Sequence, residues 1–126
     1  MKRFLLIGIG GFLGAVLRAA AKNHLLVHYS LLFPWNTLLV NILGSFFIAL
    51  FLTICIEVLE IDPDIRLCIA TGFIGAFTTF STICKESVRL IQQGYVTVAL
   101  LYLLITLFLG LSAVYAGTVT ARIKVK

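Results

Sequence analysis

Four long apolar runs, roughly Phe4 to Val27, Asn36 to Leu59, Ile65 to Ile83 and Val96 to Thr118, are separated by short polar stretches. At about 1.5 Å of rise per residue, each is long enough to cross about 30 Å of hydrocarbon as an α-helix. The connections carry turn chemistry: Pro34 before the second run, Asp62-Pro63-Asp64 before the third and Gln92-Gln93-Gly94 before the fourth. No linker, low-complexity tract or internal repeat interrupts the pattern, so residues 1–126 read as a single four-helix membrane domain. Lys2 and Arg3 give the first run the basic start of a signal peptide, but its apolar stretch continues past Ala15 with no persuasive cleavage site. It is read as a retained first helix.

Polar residues inside the runs carry the information, because an unpaired donor or acceptor in hydrocarbon is costly and turns toward protein or a water-filled path. Residues 72–83, GFIGAFTTFSTI, place two glycines, four hydroxyl residues and three phenylalanines in the third run. Gly72 and Gly75 weaken a helix and the β-branched Thr78 and Thr79 add little propensity, so this run is expected to break. Carbonyls freed by a break need a donor or a hard cation such as Na⁺. Thr78, Thr79, Ser81 and Thr82 point to several faces; bonding to their own preceding carbonyls would account for some of them. Phe73, Phe77 and Phe80 form an aromatic stripe that suits packing, although a ring also has a positive edge that can meet an anion. Asn41, early in the second run, fits either a clamp between helices or a donor facing a path.

Composition agrees with a membrane protein: 61% of residues are hydrophobic and 12% charged, too apolar for a soluble domain of this size. The net charge of +5 calls for no nucleic acid, because the basic residues sit near the ends of the runs. Even-numbered crossing puts both termini on one side with Lys2, Arg3, Arg66, Arg122, Lys124 and Lys126, against Arg18, Lys22, Lys85 and Arg89 on the other. So weak a bias permits insertion in both orientations and equally fits a modest fixed preference. Cys55, Cys68 and Cys84 lack metal-ligand spacing and read as packing residues. His24 and His28 are four apart without a third ligand nearby, and GIGGFLG misses the dinucleotide fingerprint. No enzymatic constellation emerges. Gly10 and Gly14 instead share a helical face on which small residues let helices approach closely.

Three ordered segments, GGFLGAVLR at 10–18, NTLLVNILGSF at 36–46 and TGFIGAFTTFST at 71–82, resemble the Fluc (CrcB-type) family of fluoride channels, and the resemblance covers essentially the whole chain. It implies an all-α integral membrane protein with four transmembrane helices and a broken third helix, pairing as an antiparallel, dual-topology homodimer in the plasma membrane of a prokaryote. It further implies a structural Na⁺ at the dimer centre, held by the backbone carbonyls of Gly75 and Thr78 of each subunit. The implied fluoride pathway takes in Asn41, Phe80, Ser81 and Thr82, with Arg18 at an aqueous vestibule or snorkelling at the interface. Tyr102 and Thr106, four apart on the last run, extend the polar track. Fluoride would pass passively outward, with lipid and fluoride as the other partners.

One position departs from the family pattern, which places a second phenylalanine three residues after Phe80. Here that position is Ile83, whose aliphatic side chain offers no positive edge. Either the homodimer works with one ring fewer in each pathway, or a paralogous subunit completes a heteromer. Two other classes share parts of this plan. A small multidrug-type proton-coupled exporter needs a glutamate in its first helix, whereas the first acid here is Glu57, and Glu57 and Glu86 both read as lying near span ends. A non-transporting membrane subunit accounts for the small-residue faces and leaves the hydroxyl cluster unexplained.

Overall fold

A computed structural model describes residues 1–24, 32–57 and 59–123. Helix α1 spans Lys2–His24 and α2 spans Trp35–Glu57. The third crossing is built in pieces: α3 (Pro63–Leu67), a π-helical segment (Cys68–Ile74), the single turn α4 (Gly75–Phe77) and α5 (Phe80–Gln92). Helix α6, Val96–Ile123, completes the chain. All described elements are helical, and four helical stretches are long and apolar enough to cross a membrane. The expectation for His28 lies outside the described residues, as does the end of the first run beyond His24.

Local sequence explains where the third crossing starts and stops. Asp62 caps α3 by accepting from the backbone N–H of Asp64 at 2.8 Å and of Ile65 at 3.4 Å, and Pro63 occupies a first-turn position that needs no N–H donor. The helix interrupts where the threonine pair predicts it: Thr78 (φ −78°, ψ 161°) and Thr79 (φ −153°, ψ 118°) are extended. The third run was expected to end at Ile83, yet α5 continues to Gln92 and closes at Gly94, whose φ of +84° suits glycine. Hydropathy misses this because Lys85, Glu86 and Arg89 alternate with the buried Ile83, Ser87 and Leu90 on an amphipathic helix.

Packing rests on backbone approach rather than on large side chains. A Cβ added to Gly10 would overlap the carbonyl of Cys68, one on Gly14 would overlap the carbonyl of Phe73, and one on Gly72 would lie 2.6 Å from the carbonyl of Ile7. Three glycines thus seat α1 directly on the π segment. On the other side, α2 and α6 run parallel, and Gly117 faces the carbonyl of Phe46 where a Cβ would also lie 3.1 Å from the backbone nitrogen of Leu50. In lipid, where burying apolar side chains gives no advantage over exposing them to acyl chains, such close contact supplies the association energy. Ion pairs Arg3–Asp64 and Arg122–Glu57 tie the helix ends on the side of the termini; the Arg122 pair is bidentate, with contacts of 2.7 and 3.0 Å, but exposed.

This seating predicts that Gly14→Val, which must displace the Phe73 backbone, costs roughly 1–3 kcal/mol, while Gly8→Ala, which has open space around it, is neutral or slightly stabilising. Thermal unfolding of the purified variants in detergent checks the contrast.

Candidate functional site

The break in the third crossing is held by side chains from α1 and α2. Asn41 on α2 grips Thr79 twice: its Oδ1 accepts from the Thr79 N–H at 2.8 Å and its Nδ2 donates to the Thr79 carbonyl at 3.0 Å. Both backbone groups of an extended residue inside the membrane are thereby satisfied. Arg18 on α1 donates from Nη1 to the Thr78 carbonyl at 3.3 Å. Gly44, one turn from Asn41, leaves room for the Thr78 methyl group, which a Cβ there would overlap. Thr79 then caps α5, its Oγ1 accepting from the Thr82 N–H at 3.3 Å and lying 3.2 and 3.0 Å from the hydroxyls of Ser81 and Thr82.

These diversions free particular carbonyls. In an unbroken helix the Gly75 carbonyl would take the Thr79 N–H and the Thr78 carbonyl would take the Thr82 N–H, but those donors serve Asn41 and Thr79. Gly75 lies on an exposed face, and the Thr78 hydroxyl is shared between the Ile74 and Gly75 carbonyls at 3.3 and 3.4 Å. Both carbonyls thereby lose their helical backbone donors; the Thr78 carbonyl keeps the Arg18 guanidinium at 3.3 Å and the Gly75 carbonyl the shared Thr78 hydroxyl at 3.4 Å.

Beside the break runs a groove of about 550 Å³, lined by Asn41 and Ser45 of α2, Thr79, Phe80 and Ile83 of the third crossing, and Thr106 and Gly110 of α6. Spacing along the two parallel helices organises it. Thr37, Asn41 and Ser45 repeat every four residues on α2, as do Tyr102, Thr106 and Gly110 on α6, so polar positions recur at levels about 6 Å apart. At one end Glu86 accepts the hydroxyls of Thr37 and Tyr102, each at 2.8 Å. Midway, Thr106 Oγ1 is buried with no hydrogen-bond partner among the described residues. Toward the other end, a Cβ built on Gly110 would stand 4.0 Å from the Ser45 hydroxyl.

The residues expected from the sequence fall into different settings. Asn41, Thr106, Phe80 and Ile83 meet in the groove, where Phe80 is 77% exposed. Ile83, at 7%, also packs with Leu38 and Tyr102 in a cluster bordered by Phe33, Ile42 and Ile105. The ring position is therefore occupied by a side chain that serves the core. Tyr102 is fully buried and reaches the row through its hydroxyl. Ser81 and Thr82 are engaged at the cap of α5, with Ser81 exposed. The Arg18 guanidinium turns toward the break, where it meets the Thr78 carbonyl. Sequence reasoning overlooked Thr37 and Ser45, although the four-residue spacing about Asn41 was available to find both, and it named Thr79 only for the break and the hydroxyl cluster, not for its bonds to Asn41. It also left Glu86 at the end of a span, whereas the structure tucks its carboxylate between α2 and α6.

Comparison with known proteins places this arrangement. The family model for CrcB-like protein, Camphor Resistance (CrcB), matches residues 5–118. The chain belongs to the CrcB-like family. Among its relatives, a "Fluoride-specific ion channel FluC" of Thermus thermophilus is 43% identical over 117 residues, 93% of each chain. A protein of the same name from Sulfurihydrogenibium sp. (strain YO3AOP1) is 35% identical over 122 residues, 97% of this chain and 98% of the relative. Another, from Acidobacterium capsulatum, is 39% identical over 120 residues, 95% of this chain and 96% of the relative. The CrcB-like match extends over all four crossings, so the break and its supports lie within the shared region.

For this CrcB-like chain, the clamp predicts that Asn41→Leu, close in volume but without the amide, strands both the N–H and the carbonyl of Thr79. At about 1–3 kcal/mol for each unsatisfied group, the loss is roughly 2–6 kcal/mol, checked by thermal unfolding.

Proposed function

We propose that this protein is a fluoride-selective ion channel that lets fluoride leave the cell passively, as a multi-pass protein of a prokaryotic plasma membrane. The observation that carries the reading is the buried Thr106 hydroxyl in the groove that Asn41 lines, a donor inside a membrane protein with no hydrogen-bond partner among the described residues. The relatives' printed names specify which anion. Fluoride is small and strongly hydrated, so its passage requires fixed donors in place of water. The second amide hydrogen of Asn41, the Thr106 hydroxyl and the exposed Phe80 ring, whose edge is positive, supply that chemistry, and Ser81 and Thr82 add hydroxyls beside it. Passive export suffices because hydrogen fluoride crosses a membrane neutral and dissociates inside, trapping the anion there.

The groove is open, and Phe80 and Gly75 face outward, which favours completion by a second copy in antiparallel orientation. A structural Na⁺ at the centre of such a dimer would be held by the Gly75 and Thr78 carbonyls, whose helical donors are diverted. Bound there, it would neutralise the carbonyl dipoles that the break exposes. Ile83 leaves two assemblies open, a homodimer with one ring fewer in each pathway and a heteromer with a paralogue; the intact groove favours the homodimer.

Two outcomes test this reading. Liposomes containing the purified protein are expected to release fluoride far faster than chloride or a lipophilic cation, and Asn41→Asp to abolish the release, because a carboxylate repels the anion at close range. Normal flux through Asn41→Asp would return Asn41 to the role of a clamp alone. Replacing Na⁺ by a larger organic cation at constant ionic strength is expected to weaken the dimer and slow the flux, while Thr78→Ala is tolerated because the ligands are backbone oxygens. Indifference of both dimer and flux to Na⁺ would remove the cation site.

A further inference from the structure

The Thr78–Thr79 peptide group is bonded at both ends. Its carbonyl accepts from the Arg18 guanidinium at 3.3 Å, and its N–H donates to Asn41 Oδ1 at 2.8 Å. The Asn41 amide continues the chain through Nδ2, which gives one hydrogen to the Thr79 carbonyl at 3.0 Å and keeps the other available in the groove. The sequence of groups is thus a cation, a peptide dipole, an amide dipole and an anion-facing N–H. A positive charge at the oxygen of a peptide draws electron density from its nitrogen, making the N–H a better donor; hydrogen bonds in series strengthen one another, by about 10–30% per bond. The same bonds fix which way the Asn41 amide is flipped, because Thr79 demands an acceptor on one side and a donor on the other.

We infer that Arg18 is a positioning residue for the anion pathway, acting through the Thr78–Thr79 peptide on the Asn41 amide. The inference rests on the channel reading above and differs from a vestibule role in a measurable way. A charge acting through open water is screened beyond about 10 Å at 0.1 M salt and about 3 Å at 1 M. A bonded relay inside the protein is not. Lysine separates the two roles as well: it keeps the charge but lacks the planar fork, and its shorter stem falls short of a carbonyl that arginine reaches only at 3.3 Å.

The test measures fluoride efflux against fluoride concentration for the wild type, Arg18→Gln and Arg18→Lys in liposomes. Potassium isethionate as inert salt sets the ionic strength at roughly 0.02 M and roughly 0.5 M. Both variants are expected to raise the half-saturating fluoride concentration severalfold, by the same factor at both salt levels. The inference is overturned if Lys restores wild-type behaviour, if high salt closes the gap, or if only the maximal rate falls while half-saturation stays fixed, the sign of a purely structural role. Should Arg18→Gln fail to yield a folded protein, Arg18→Lys decides alone. Wild-type protein that passes no fluoride, either alone or with a co-expressed paralogue, overturns the channel reading instead, before either variant is compared.

Discussion

Inside a membrane a backbone polar group must be satisfied by the protein itself, since no water stands ready to replace a lost partner. A helix meets that demand residue by residue, and interrupting one at Thr78 and Thr79 violates it in the costliest place. The other supports of this region follow from repairing that violation. Asn41 must lie within bonding distance of Thr79, which fixes the register of α2 against the third crossing. Arg18 must reach Thr78, which fixes α1. Gly44 must stay bare to admit the Thr78 methyl group. Since each orphaned group would cost on the order of 1–3 kcal/mol or more, the break persists only with these partners in place.

The way α1 reaches the break depends in turn on the π segment. Its hydrogen-bonding rings are wider than those of an α-helix, and the carbonyls of Cys68 and Phe73 meet α1 where only glycine fits, at Gly10 and Gly14. Because Gly14 is one turn from Arg18, the same contact that seats the helices sets where the guanidinium emerges. Close packing and the polar repair of the break are therefore one construction. A substitution that pushes α1 outward at Gly14 also withdraws Arg18 from the Thr78 carbonyl.

The crossings and the break were legible in the sequence because each rests on local chemistry: apolar length, glycine and β-branched residues. So was the face of Gly10 and Gly14, which periodicity alone defines. What remained hidden depends on partners distant in sequence. Arg18 near the end of an apolar run looks the same whether it snorkels to water or turns toward a carbonyl 60 residues away. Glu86 looked like a span-end charge because hydropathy averages it with Lys85 and Arg89; only the fold brings Thr37 and Tyr102 to its two oxygens. Ile83 was legible as a missing ring but not as a core residue, since its neighbours Leu38 and Tyr102 come from two other helices.

The placement of Glu86 bears on channel against coupled exporter. A carboxylate that carries protons across a membrane has to exchange them with both sides while its surroundings rearrange. Glu86 instead sits at one end of the polar row, fixed by two hydroxyls at 2.8 Å, one of them from a tyrosine with no exposed surface. Tyr102 is itself wedged edge-on against Phe33, with ring centres 5.4 Å apart at 86°, so the donor cannot swing away without disturbing the Leu38–Ile83 cluster. The acid-free first helix removes the other place where such an exporter would keep its carrier. A row of donors with one anchored carboxylate at its end suits an ion that moves along a standing path rather than a carrier that has to turn over with its load.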